Sequence, residues 1–182
     1  MTQPIVTVLV DVDGVINAHW TTRADLDHWP VDSWQKVRVP VTWAGVAVDV
    51  TCSTCVIDGL RRIEALPATS MTWCTTWRGD AASSLGPAIG LGANWPVVDH
   101  DLPHELEWMG WWKAARAYEC SLTHERVVWI DDAAAAWAAS MYEADLGEYL
   151  RWLDDRVLII SPRTAQGLAA EHLDEIAQFL SR

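Results

Sequence analysis

Two stretches of this 182-residue chain carry an apolar run straight into acid. "IVTVLVDVDGV" leads from Ile5 to Asp11 and Asp13, with Gly14 directly after, and "VVWIDD" leads from Val127 to Asp131 and Asp132. A third stretch, "SMTWCTT", ends on the hydroxyls of Thr75 and Thr76. Two carboxyls sharing a site have their pKa values pushed apart, so one can stay ionised while the other carries a proton. Carboxylate oxygens are also hard ligands suited to Mg²⁺. A lone acid at a strand end says little, because loops are polar in any case. Two acidic pairs and a hydroxyl on one edge are a rarer combination, and such a cluster repels itself unless a cation or a proton sits in it. Side chains alternate along an extended chain, so Asp11 and Asp13 can face the same way.

The elements that would position these residues follow from the apolar pattern. Residues 5–10 form a short, continuous, β-branched run, as expected of a buried parallel strand. "WQKVRVPVTWAGVAVDVT" alternates apolar and polar residues and predicts a β-hairpin in which Pro40 marks an edge strand. Residues 53–66 have helical spacing, with Pro67 just beyond. "SMTWCTTW" reads as a second strand, "WPVV" as a third, "RVVWIDD" as a fourth and "RVLIIS" as a fifth. Helices are predicted to begin at 81–89 and to span 105–120, 133–142 and 169–180. Strands alternating with helices imply an α/β fold, a Rossmann-like parallel sheet of about five strands with helices on both faces and a small hairpin/helix insertion after the first strand. In such sheets ligands bind beyond the carboxyl ends of the strands, where the strand order reverses.

Composition narrows the function. The length suits one domain, 1–182, with 15–68 as a small insertion. The formal net charge of −12 repels phosphate backbones and argues against extended nucleic-acid binding, although a bound cation could bring in a small anionic substrate. There is no long apolar run to span a membrane and no signal-peptide pattern at the N-terminus, so the expected location is cytoplasmic. The four cysteines then read as free thiols. Cys52 and Cys55 form a C-x-x-C, but zinc would need two further ligands, and Cys74 and Cys120 stand alone. The six histidines show no metal-binding spacing. Most of the thirteen tryptophans are expected to fill the core or its rim, where the indole N–H can find a partner.

In order along the chain, "DVDGV", "TWCTT", the lysine of "WWKAA" and "VVWIDD" resemble the four motifs of the haloacid dehalogenase superfamily, in its phosphatase branch. The resemblance spans most of the chain as a framework. It implies Asp11 as the nucleophile that takes up a phosphoryl group as an aspartyl-phosphate. Asp13 would protonate the leaving oxygen and later accept a proton from water. Dehalogenating members lack an acid at that position, since halide leaves unprotonated. Gly14 lets the chain turn sharply beside the site. Thr75 would bond a phosphoryl oxygen and Lys113 would pair with Asp11 and the phosphoryl charge. Asp132, with Asp131, would complete a Mg²⁺ site with the Asp11 carboxylate and the Asp13 backbone carbonyl. The choices between Thr75 and Thr76, and between Asp131 and Asp132, stay open, because strand ends are read only to within a residue or two. A solvated helix lysine is the plain alternative for Lys113, and a helix cap for the Asp131–Asp132 pair.

In the resembled family, insertions after the first motif form caps that select substrates. Here the insertion carries His19, Trp20, Trp29, Trp34 and Trp43, and the indole faces of the tryptophans can stack on a base. Trp77 and Arg78, just past the second motif, are placed to reach a substrate phosphate or base, with a surface arginine the equally simple reading. The expected substrate is a small phosphomonoester, with a nucleotide the first candidate and a sugar phosphate the next. A phosphatase acting on a nucleic-acid end and a non-catalytic binding protein on the same scaffold are the alternatives. A phosphotransferase would share every motif, and the oligomeric state is open.

Overall fold

The computed structural model describes residues 6–42 and 45–181. Four strands form a parallel sheet in the order β4-β1-β5-β6. They are β1 (Val6–Val10), β4 (Thr69–Trp73), β5 (Arg126–Ile130) and β6 (Val157–Ile160). The expected α/β architecture is present, but among the described residues the third expected strand, "WPVV", is not, and the parallel sheet has four strands instead of about five. Residues 95–98 contribute a single bridge, Trp73 to Val97, through Trp73 N–H to the Pro96 carbonyl (2.8 Å) and Val98 N–H to the Trp73 carbonyl (3.0 Å). Pro96 has no N–H to give to a ladder, and the segment is too short to continue past it.

Alternation along the strands sends side chains to two layers. Val8, Val10, Met71, Trp73, Val128 and Ile130 pack in one core. That core also holds residues of α1 (Thr54–Glu64) and α5 (Ala170–Leu180), among them Leu60, Ile63, Leu173 and Ile176. Leu9, Val127 and Trp129 face the other way, against α3 (Trp112–Thr123) and α4 (Ala134–Glu143). There Ala114, Ala115 and Ala117 let α3 come close, and Trp129, Trp137 and Trp152 fill the volume beyond. The sheet is therefore covered on both faces, which is why its strands are continuously apolar.

The hairpin forms as expected, with β2 (Trp34–Val41) antiparallel to β3 (Val46–Ser53) and Pro40 opposite Ala47. It is a two-stranded sheet of its own, in which Pro40 is tolerated because one side of each strand is an edge. Val39, Val41 and Val50 bury into the same core as α1 and α5. Ser53 caps α1 by accepting the Cys55 N–H (3.1 Å). A π-helical turn at Ala81–Leu85 runs into the short helix α2 (Gly86–Ile89).

The helix predicted over 105–120 is divided. A 3₁₀ segment, His104–Met109, ends at Gly110 in the left-handed region (φ 63°); Trp111 is extended, and α3 begins only at Trp112. A glycine in that conformation terminates a helix. The break places Lys113 in the first turn of α3, at the sheet edge. Among the described residues no helix is long and apolar enough to cross a membrane.

Candidate active site

The register of the sheet sets the site. Val10 lies level with Trp73 on one side and Ile130 on the other. The ladder continues one residue further, with Asp11 N–H bonded to the Ile130 carbonyl (3.0 Å), Cys74 N–H to the Val10 carbonyl (2.9 Å) and Asp131 N–H to the Ile160 carbonyl (3.0 Å). Asp11 and Asp131 thus leave adjacent strands at the same height. The chain runs from β1 out to β4 and then back past β1 to β5, so the acids sit where the strand order reverses.

Lys113 reaches both acids. Its ammonium donates to Asp11 Oδ2 (2.5 Å) and Asp131 Oδ2 (2.6 Å), and all three side chains are buried. The remaining oxygens are also held: Asp11 Oδ1 accepts the Val12 N–H (2.7 Å) and Asp131 Oδ1 the Ala133 N–H (2.9 Å). Burial alone would lower the Lys113 pKa, but the two carboxylates outweigh it and hold it above its ordinary value. Burial pushes Asp11 up to about 7, against the pull of Lys113 and with the reinforcement of Asp131. One ammonium shared by two carboxylates leaves an uncompensated negative charge, and burial acts on that excess.

Asp132 adds a third carboxylate. One oxygen from each of Asp11, Asp131 and Asp132 lies within 4.8 Å of the others, a hard-donor group that could hold a divalent cation. Asp132 Oδ2 accepts from the Thr164 hydroxyl (2.6 Å). It also explains Gly14. With φ at +72°, Gly14 would place a Cβ 2.2 Å from Asp132 Oδ2, so the position has room for no side chain.

Asp13 stands apart from that group. Trp77 Nε1–H donates to Asp13 Oδ2 (2.8 Å), Asn17 Nδ2–H donates to Oδ1 (2.7 Å), and His19 Nε2 lies 3.1 Å from Oδ1. Asn17 also accepts the Thr51 N–H (2.9 Å), which ties the loop after β1 to the hairpin. Asp80 makes a second tie, since its carboxylate accepts both the Thr42 N–H (2.8 Å) and the Thr42 hydroxyl (2.9 Å). The hairpin and the Asp13 loop enclose a cleft of about 430 Å³ lined by Asp13, His19, Trp20, Val48, Asp49 and Trp77.

Of the residues proposed from sequence, Asp11, Asp131, Asp132, Lys113 and Gly14 meet at the strand ends. Thr75 is fully buried, and its hydroxyl accepts the Trp77 N–H (3.3 Å), while Thr76 is exposed. Trp77 is buried and offers Asp13 its N–H. Arg78 is exposed, and Trp20 is half exposed in the cleft beside Asp13. Trp29 and Trp34 donate their N–H groups to the Leu168 and Leu26 carbonyls and serve the packing of the insertion. Trp43 lies outside the described residues. Asn17, Asp80 and His100 join the site without having been singled out for it, and only the proximity of Asn17 and Asp80 to the acidic and threonine motifs offered a signal; His19, named with the insertion, reaches Asp13.

The cysteines are free. Burial raises the Cys74 thiol far above its ordinary range and Cys120 to about 11, so neither is a ready nucleophile. No family model, no curated protein and no solved structure matches this chain.

Proposed function

We propose that the protein is a Mg²⁺-dependent phosphatase that works through an aspartyl-phosphate, on the Rossmann-like scaffold of the family its motifs resemble. The observation that carries this reading is the buried Lys113 bridge between Asp11 and Asp131, beside Asp132, with the Asp13 carboxylate held separately two residues on. A cation-hungry cluster and an independently oriented acid are the two requirements of the reaction.

In the first step an Asp11 carboxylate oxygen attacks phosphorus, and the bond from phosphorus to the leaving oxygen breaks. Asp13 gives that oxygen its proton. Water then attacks the acyl phosphate, Asp13 takes a proton from it, and phosphate departs with regeneration of the Asp11 carboxylate. Lys113 neutralises part of the charge on the phosphoryl oxygens, and Thr75 offers them its hydroxyl. Asp11, Asp131 and Asp132, with the Asp13 backbone carbonyl that the resemblance implies, would hold Mg²⁺. The ion would offset the repulsion between these carboxylates and an incoming phosphate.

The departing oxygen lies at the mouth of the cleft beside Asp13, because the acid must touch it. The exposed indole of that cleft, Trp20, favours a nucleotide or another small ester with a flat group, and the β2–β3 hairpin acts as the cap. The test is phosphate release from nucleoside monophosphates, sugar phosphates and p-nitrophenyl phosphate, with Mg²⁺ or with EDTA. Turnover is expected only with Mg²⁺, and Asp11→Asn is expected to abolish it. Full activity in EDTA would refute the metal assignment, and release from no substrate would refute the phosphatase reading.

A further inference from the structure

The loop 75–78 has a second cleft on its other flank, and its chemistry differs. This cleft measures about 500 Å³ and is lined by Thr76, Arg78, His100 and Trp112. It adjoins the reacting groups through two of its walls: His100 Nε2 donates to the Thr75 carbonyl (2.7 Å), and Trp112 immediately precedes Lys113. The His100 and Trp112 rings pack against each other, tilted by 39° with centroids 4.2 Å apart. Arg78 is held in the left-handed region (φ 54°) by a tight turn, its N–H bonded to the Thr75 carbonyl (3.2 Å) and its carbonyl to the Ala81 N–H (3.1 Å).

The chain has 25 acidic side chains against 13 Lys and Arg; Lys36, Arg38, Arg61, Lys113, Arg116 and Arg156 pair with acids, while Arg23, Arg62, Arg126, Arg151 and Arg163 enter no ion pair among the described residues. Arg78 enters no ion pair among the described residues. Its nearest acid in sequence, Asp80, has both oxygens committed to Thr42. The first cleft offers the opposite environment, with Asp13 and Asp49 in its walls. An anion is repelled there and attracted here.

We propose that the Thr76–Arg78–His100–Trp112 cleft is a subsite for a second anionic group, so that the substrate is a phosphomonoester carrying a further phosphate or carboxylate. The guanidinium of Arg78 and the hydroxyl of Thr76 bind that group while the scissile phosphate sits at Asp11. The placement of the scissile phosphate rests on the phosphatase reading, while the anion preference of the cleft rests on Arg78 and its surroundings.

The experiment compares ligands that differ by one anionic group: adenosine 5′-monophosphate with adenosine 3′,5′-bisphosphate, and glycerol 3-phosphate with 3-phosphoglycerate. Dissociation constants are measured by titration calorimetry with Mg²⁺ on Asp11→Asn protein whose fold is checked by thermal melting, with and without Arg78→Gln. Should Asp11→Asn fail to fold, KM values from the otherwise wild-type protein and from Arg78→Gln make the same comparison. The expected result is that the doubly anionic member of at least one pair binds about 10-fold more tightly, the worth of one charge-assisted bond. Arg78→Gln should erase that advantage, weakening the doubly anionic member about 10-fold more than the singly anionic one. An advantage in the first pair identifies phosphate, and in the second carboxylate. Equal affinities within both pairs, or an advantage that survives Arg78→Gln, would overturn the proposal. A preserved binding advantage in a protein that releases phosphate from nothing would refute the phosphatase reading and leave the anion subsite standing.

Discussion

Replacing Lys113 by methionine tests the centre of the site without reference to any substrate. Methionine keeps most of the apolar stem and removes the charge. Asp11 and Asp131, bonded to one ammonium at 2.5 and 2.6 Å, would then face each other with no cation between them. Breaking a buried ion pair costs about 3–5 kcal/mol, because the abandoned charge stays buried. In a chain of this size 1 kcal/mol corresponds to roughly 2–4 °C in Tm, so a fall of about 6–20 °C is expected near neutral pH. The pH dependence has a definite sign. The Asp11 pKa is already raised from 3.8 to about 7 by burial, with Lys113 opposing the shift. Without Lys113 it climbs further. A carboxyl with a raised pKa binds its proton more tightly in the folded state, so the stability it contributes is full below 3.8 and is lost as pH rises toward and through 7. Both proteins lose this stability alike up to about pH 7, where the wild-type loss ends and that of Lys113→Met continues, so the gap in Tm should widen from pH 7 to pH 8. Thermal and urea melts in EDTA, followed by tryptophan fluorescence, measure it, and millimolar Mg²⁺ should narrow it if the carboxylates bind the ion. A loss below about 1 kcal/mol at pH 8, the range of an exposed ion pair, or a gap that does not change with pH, would refute the reasoning.

Three further outcomes follow from single contacts. Trp77→Phe keeps a ring in the core but removes the N–H that Asp13 Oδ2 accepts; kcat should fall ~10-fold for alkyl phosphates, part of the ~10²–10⁴ typical of general acid catalysis, and scarcely at all for p-nitrophenyl phosphate. Equal losses on both would show that the indole is only a packing element. Gly14→Ala forces a Cβ to within 2.2 Å of Asp132 Oδ2 at a φ of +72°, and overpacking plus left-handed strain should cost roughly 2–5 kcal/mol in urea melts; a variant as stable as wild type would contradict the close approach. Asp80→Ala removes both bonds to Thr42, which should cost about 1.5–3 kcal/mol and speed hydrogen exchange at the Thr42 amide, whereas unchanged exchange would mean that the hairpin is anchored elsewhere.

The strands, the hairpin and the acidic ends of β1 and β5 were legible from sequence because each is a local property. A β-branched run flanked by acid marks its own strand end, and alternation marks a hairpin. Two misreadings had local signals as well. Pro96 already argued against a strand at residues 95–98, and Gly110 already argued for a break before Lys113. What each polar group bonds to was not legible. Trp77 and Asp13 are 64 residues apart, Thr42 and Asp80 are 38 apart, and Lys113 and Asp11 are 102 apart. No periodicity links such pairs. They meet because the register of β1 against β4 and β5 brings three strand ends to one height and α3 starts above them. The identity of Asp11, Asp13, Lys113, Asp131 and Asp132 as a chemical set was therefore written along the chain. Their pairing was decided by tertiary structure, since the sheet register sets which oxygen meets which donor, and burial raises the Asp11 pKa while the two carboxylates hold that of Lys113 up.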